Sequence, residues 1–128
     1  MKRLSATLLA LVLAACAPSD PNAKNAAFAQ GFCAQDVEAV WNATDADMQA
    51  QFDAIAEIYG LAGGIEIIAN YIALDEGTKC DKAEYIGSYK DHDGNAASIY
   101  IFTFTDAEGT SSIFYVFTST GSGVSNVE

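Results

Sequence analysis

Few residues of this chain could do chemistry: one acidic segment, one histidine and three cysteines. The segment from Asp91 to Asn95 reads Asp-His-Asp-Gly-Asn. It places carboxylate and amide oxygens at alternate positions, as the first half of a calcium-binding EF-hand loop does. The pattern then breaks, because its sixth position is Ala96 instead of Gly and its twelfth is Phe102 instead of Glu. We therefore predict a hairpin turn here, with Asp91, Asp93 and Asn95 as a weaker alternative metal site.

The single histidine, His92, lies in this predicted turn beside two aspartates. A catalytic triad would also need a nucleophile held against the imidazole, and the sequence singles out no serine for that role. No glycine pattern matches a phosphate-binding loop, since no Lys-Ser or Lys-Thr pair follows Gly63-Gly64. We predict that the protein is not an enzyme and that it needs no cofactor.

The composition restricts the class of protein further. The chain has 128 residues, enough for one domain, and 51% of them are hydrophobic, which a disordered acidic tail would not show. Its 17 acidic and 6 basic residues give a net charge of -11, which excludes nucleic acid as a partner because phosphate binding needs clustered Lys and Arg. Three cysteines and one histidine are too few for a Cys/His zinc module.

The N-terminus carries an export signal. A basic start, Met1-Lys2-Arg3, precedes an apolar run to Ala15 that is shorter than the roughly 20 residues a spanning helix needs. The run ends in Leu-Ala-Ala-Cys at Cys16, which resembles the lipobox of bacterial lipoproteins. The resemblance implies that the chain is cut before Cys16 and that this cysteine carries a diacylglyceryl group and an acylated amino group. An ordinary secretory signal followed by a chance cysteine is the alternative.

The resemblance also predicts where the protein lies. Position 17 is Ala17 and not the Asp that often retains lipoproteins in the inner membrane. In a Gram-negative host this implies the inner leaflet of the outer membrane, with the domain facing the periplasm. A Gram-positive host would place it outside its only membrane. The mature chain would keep four basic and 17 acidic residues, a net charge of -13.

We predict three segments: a signal peptide over residues 1–15, a lipid-anchored linker over residues 16–30, and one domain over residues 31–128. The linker is indicated by Pro18, Pro21 and the Ser, Asp and Asn residues around them, which break any periodicity. Acyl chains on Cys16 would hold the protein to the membrane, since two or three chains anchor stably where one does not.

Cys33 and Cys80 remain in the mature domain, and an exported compartment is oxidising, so we predict a disulfide between them. In the chain-entropy model, closing the loop between them stabilises the fold by about 4 kcal/mol. A redox-active or metal-binding pair is the alternative. Redox pairs usually stand two residues apart, and a metal would need more ligands.

Hydrophobic spacing predicts helices in the first half of the domain. Apolar residues from Val37 to Tyr59 recur every three or four positions, which indicates one long helix or two. A capping-box pattern starting at Thr44 favours a second helix there, and Gly60 is a plausible C-terminal cap. The run from Ile65 to Leu74 favours a further helix over a buried strand because of its length.

After Cys80 the period changes to two, which predicts strands over residues 84–90, 98–105 and 112–118 and a short fourth strand over 124–127. The fold class is therefore α+β, with two or three N-terminal helices packed on a C-terminal three- to four-stranded antiparallel β-meander. One helical layer covers only one face of such a sheet, and Ile99 and Ile101 point to the other. That face is then a partner surface or pocket lining, unless the sheet curls on itself or the linker folds across it.

These features support two hypotheses. The first is a lipid-anchored, non-enzymatic accessory module that binds another envelope protein, one with basic residues that complement the acidic domain. The alternative is a module that binds a small apolar ligand between the helices and the sheet. The aromatic residues that would line this pocket are Trp41, Phe52, Tyr100, Phe102 and Phe104.

Overall fold

The computed structural model describes residues 18–128, so the predicted signal peptide and Cys16 lie outside the described residues. Four helices precede four strands, which confirms the α+β class and the N-terminal position of the helices. The helices are α1 (Ala23–Ala34), α2 (Val37–Ala43), α3 (Ala46–Ile58) and α4 (Gly64–Ile72). The strands are β1 (Lys79–Lys90), β2 (Ala96–Asp106), β3 (Gly109–Thr120) and β4 (Gly123–Val127).

The strands form one antiparallel meander in the order β1-β2-β3-β4, so β1 and β4 are its two edges. All four predicted strands are present, and each begins earlier or ends later than its apolar alternation indicated. Polar residues near the strand ends, such as Lys79 and Ser119, still pair with their neighbours, because the backbone ladder does not depend on side-chain polarity.

Helix α1 crosses all four strands and builds the core with them. Phe28 packs on Phe117 with ring centroids 5.5 Å apart, and Phe32 packs edge-on against Phe102 at 5.4 Å. Tyr100, Phe102 and Phe117 are among the largest fully buried side chains. The other helices stack on α1 and on one another, so the helical layer covers one face of the sheet.

Helix α1 also corrects the predicted domain boundary. The linker was expected to reach residue 30, but the helix begins at Ala23, and Phe28 and Ala29 are buried in the core. The Asn22 side chain caps it by accepting a hydrogen bond of 2.9 Å from the Asn25 N–H. The apolar periodicity did not reveal this helix because its buried face includes Asn25 and Gly31.

The predicted apolar stripe from Val37 to Tyr59 forms two helices, and the break falls at Thr44–Asp45. Asp45 caps α3, since its carboxylate accepts hydrogen bonds from the N–H groups of Asp47 and Ser122 at 3.1 and 3.0 Å. Burial alone would raise the pKa of Asp45, but the hydrogen bonds from Ser122 and Asp47 bring it below its usual value. The chain then turns at Gly60, which has the left-handed φ of 70° that a helix-ending glycine adopts.

The disulfide between Cys33 and Cys80 is present, with Cα atoms 5.1 Å apart. It joins the last turn of α1 to the second residue of β1. The bond therefore fixes the helix that builds the core to the edge strand of the sheet.

Candidate functional site

Within residues 18–128, one face of the sheet is left uncovered, and we call it the outer face. It is opposite the core residues of β2, and its centre is formed by two cross-strand pairs: Ile99 with Val116, and Ile101 with Phe114. Phe114 is 63% exposed, and the neighbouring Ile86 of β1 is 47% exposed. The apolar residues expected on this side are therefore in contact with solvent in residues 18–128, and the sheet does not curl to bury them.

Over β2 and β3 the outer face is almost free of charge, and Glu84 and Lys82 of β1 border it beside Ile101 and Thr103. Strand β3 has no charged residue, and β2 has only Asp106 at its last position. Acidic turns flank the two ends of the strands. Asp91 and Asp93 lie in the β1–β2 turn, while Asp106 and Glu108 lie at the β2–β3 turn. The arrangement is an apolar centre between acidic ends, on a described chain with a net charge of -13.

The five aromatic residues predicted to line one ligand pocket do not meet at one cavity. Phe102 and Phe104 are buried in the core, where Phe102 packs against Tyr115 with ring centroids 4.9 Å apart. Trp41 packs against the same core from α2. Phe102 and Phe104 point towards the helices, as the alternation predicted, but side chains of α1 such as Phe32 pack directly on this core and fill the expected pocket.

Two cavities contact the remaining members of that set. One, of about 220 Å³, lies between α3, α4 and β4 and includes Phe52, Met48 and Tyr71 in its lining. The other is an open groove of about 430 Å³ between α1 and β1, and Tyr100 and Tyr85 contribute to its wall. The alternation of residues along the strands does not predict either cavity, because both cavities form where helices meet strands.

The Asp91–Asn95 segment forms the predicted β1–β2 hairpin turn. One carboxylate oxygen of Asp91 accepts hydrogen bonds from the N–H groups of Asp93 and Asn95 at 3.0 and 2.8 Å, and the other accepts one from the Asn95 side chain at 3.3 Å. The backbone hydrogen bond from Asn95 contributes most to lowering the pKa of Asp91. Both oxygens of Asp91 thus stabilise the turn. Across residues 18–128, no three His, Cys, Asp or Glu side chains cluster as a metal site would require.

His92 is part of the same turn, and its side chain is 91% exposed. Its Nε2 lies 3.3 Å from the carboxylate of Asp93. A general base works in a water-excluded site with its substrate held beside it, and this histidine projects into solvent instead. The turn has the geometry of a hairpin connection and offers no enclosed surface to a substrate.

A buried polar network near the start of the described chain was not predicted from the sequence. The carboxylate of Asp20 accepts hydrogen bonds from the hydroxyls of Ser98 and Tyr100 at 2.9 and 2.8 Å. The fully buried Asn25 side chain donates to Ser98 and accepts from Ser119. Burial, together with the hydrogen bond to Asp20, raises the pKa of Tyr100, so this phenol stays a neutral donor.

No protein-family model, characterised protein or solved structure matches this chain, so the site is argued from its own residues. Among the described residues, none of the helices has both the length and the apolar character needed to cross a membrane.

Proposed function

We propose that this protein is a lipid-anchored, non-enzymatic interaction module of the bacterial envelope, held to the membrane through Cys16. The observation that carries the proposal is the uncovered outer face, with Phe114 63% exposed at its centre. Large apolar side chains grouped at the centre of a surface, with charged residues at its border, are typical of a protein–protein contact. The lipobox resemblance supports the anchor and the envelope location.

The charges of the domain favour one kind of partner. Acidic turns lie at both ends of the apolar centre, and the described chain has a net charge of -13. A second copy of the chain would bring the same acidic turns together and would be repelled. We infer a partner protein with an apolar contact patch bordered by Lys and Arg, as complementary potentials speed encounter and fix the register.

The apolar-ligand alternative has weaker support. The cavity beside Phe52 has a volume of about 220 Å³. Pockets for small molecules usually measure roughly 300–1,000 Å³. The larger groove is open along β1 and has Asp20 and Glu84 in its lining, which does not suit an apolar molecule.

The proposal is tested by capture of the cross-linked partner from cells producing wild-type protein, Phe114→Asp, or the matched control Ile58→Asp. Ile58 is 80% exposed at the end of α3, so both substitutions place a carboxylate on an exposed apolar site. We expect Phe114→Asp to abolish capture of one specific protein and Ile58→Asp to leave it intact. Both variants should remain folded, since exposed substitutions usually change stability by under about 0.5 kcal/mol. Equal capture by all three proteins would contradict the proposed face.

The anchor is tested separately with Cys16→Ser, directed to the same compartment by an ordinary secretory signal. Mass spectrometry of the wild-type N-terminal peptide should show a diacylglyceryl group on Cys16, and the variant should lack it and leave the membrane fraction. A wild-type peptide without lipid would contradict the anchor while leaving the outer-face result intact.

A further inference from the structure

The point where the chain leaves the folded domain is fixed by the polar network. Asp20 is bound to Ser98 and Tyr100 of β2 through hydrogen bonds of 2.9 and 2.8 Å. Pro18, Ser19 and Asp20 all line the groove between α1 and β1. Pro18, the first described residue, therefore lies at this groove beside the β1 edge of the sheet, and we call this point the exit.

The anchor point must lie close to that exit. Only one residue separates Cys16 from Pro18, and two Cα–Cα steps span at most about 7.6 Å. A flexible linker of fifteen residues would have allowed any orientation, but a tether this short holds the α1–β1 side near the lipid. This step rests on the proposed lipidation of Cys16.

The charge distribution agrees with this orientation. Strand β1 contains three of the four lysines in residues 18–128, namely Lys79, Lys82 and Lys90, against two acidic residues. The rest of the described chain has one lysine, Lys24, and 15 acidic residues. Lys24 lies in α1 but does not reach this edge, because its Nζ donates to the carbonyl of Asn42 in α2 at 3.0 Å. Strand β1 is thus the one strand with a net positive charge, at the edge nearest the tether.

The lysines of β1 are exposed, with the side chains of Lys79 and Lys82 73% and 60% accessible. Lys79 and Lys82 pair with Asp81 and Glu84 on their own strand, so these contacts do not draw the charges into the domain. Tyr89, 47% exposed on the same strand, has the amphipathic ring that is enriched at membrane–water interfaces. Lysines on an edge strand also discourage pairing with a strand of another molecule. Anionic headgroups in contact with these lysines would cover the same edge.

We infer that the β1 edge lies against the lipid surface, with anionic phospholipid headgroups contacting Lys79, Lys82 and Lys90. The β4 edge then faces away from the membrane, together with the helices that pack near it. In this orientation the sheet is perpendicular to the membrane plane, and its outer face remains open to a partner. The inference adds a second contact surface, for lipid, to the proposed one for protein.

The test uses the full lipidated protein in vesicles of phosphatidylethanolamine and phosphatidylglycerol, with a nitroxide quencher on a fraction of the headgroups. A fluorophore is attached at Ser88→Cys on β1 or at Asn126→Cys on β4, two exposed positions on opposite edges of the sheet. We expect quenching at position 88 to be at least twice that at position 126. Equal quenching, or stronger quenching at position 126, would overturn the orientation.

A second variant tests the electrostatic part. The variant replaces three lysines with glutamine: Lys79→Gln/Lys82→Gln/Lys90→Gln. We expect its quenching at position 88 to lose the dependence on phosphatidylglycerol content. An unchanged dependence would overturn the headgroup contact. The intact mass of the same preparation separates the two proposals. A protein without lipid would overturn the anchor and the orientation together, whereas a lipidated protein with reversed quenching would overturn the orientation alone.

Discussion

The hydroxyl of Tyr100 donates a hydrogen bond of 2.8 Å to the carboxylate of Asp20, joining two residues 80 positions apart in the chain. Tyr100 is buried at the middle of the sheet, so this bond fixes the first described residues to the centre of the fold. Asp20 is consequently part of the domain, and only three residues separate it from Cys16, the predicted lipid anchor.

The first prediction concerns this bond. Tyr100→Phe leaves one carboxylate oxygen of Asp20 without its buried donor, so we expect a loss of about 1.5–3 kcal/mol in the free energy of unfolding. Urea denaturation followed by circular dichroism measures it. Tyr59→Phe is the control, because Tyr59 is 76% exposed and its substitution should change little. A loss as small as that of the control would mean that the bond does not hold the N-terminal segment.

The second prediction concerns the disulfide. Cys33→Ser/Cys80→Ser should lower the free energy of unfolding by about 4 kcal/mol, because the bond closes a long loop. Thermal and urea unfolding of the oxidised protein and the variant give the difference. Each single Cys→Ser variant should lose as much as the double variant, since either one removes the bond. A double variant as stable as the oxidised protein would show that the bond adds nothing to the fold.

The third prediction concerns pH and Asp45. The folded pKa of Asp45 is lowered, so its contribution is present above the unfolded pKa of about 3.9 and is lost as the pH falls through the folded value. Asp45→Asn keeps a capping oxygen and removes the titration. We therefore expect wild type to be more stable than Asp45→Asn at pH 7, and the difference to shrink below about pH 4. A difference that stays constant from pH 7 to pH 2.5 would contradict this cause.

The fourth prediction concerns the close approach of β4 to the end of α2. A Cβ atom added at Gly123 would lie 2.4 Å from the carbonyl oxygen of Ala43, which is backbone and cannot rotate away. Gly123→Ala should therefore cost about 1–3 kcal/mol, as overpacking does. Gly87→Ala is a matched control in β1, where a Cβ would have no atom within 4 Å. Equal stability of the two variants would mean that β4 can shift away from α2 without cost.

The sequence predicted those elements in which the spacing of apolar and polar residues matches the buried and exposed sides of the element. Period-two alternation identified the strands, and the same alternation placed Ile99 and Ile101 on the uncovered face. The pairing of Cys33 with Cys80 followed from the predicted export to an oxidising compartment and from the lack of other cysteines in the predicted mature domain. In each case a local pattern and a general physical rule were sufficient.

Other features depend on contacts that no local pattern records. Asn22 and Asn25 resemble turn residues in the sequence, yet one caps α1 and the other is buried against Ser98. The predicted linker therefore extended too far. Phe102 and Phe104 do point towards the helices, but only the packing shows that α1 fills the expected pocket.

In-cell photo-cross-linking tests whether the outer face binds a partner protein. The photoreactive residue p-benzoylphenylalanine replaces Phe114 on the outer face or, as a control, Ile58 on α3. We expect one adduct, from position 114 only, with a protein whose cross-linked peptide lies among Lys and Arg residues. The yield of this adduct should fall as the salt concentration rises. Adducts of equal yield from both positions, an adduct with a second copy of this chain, or none from position 114 would contradict it.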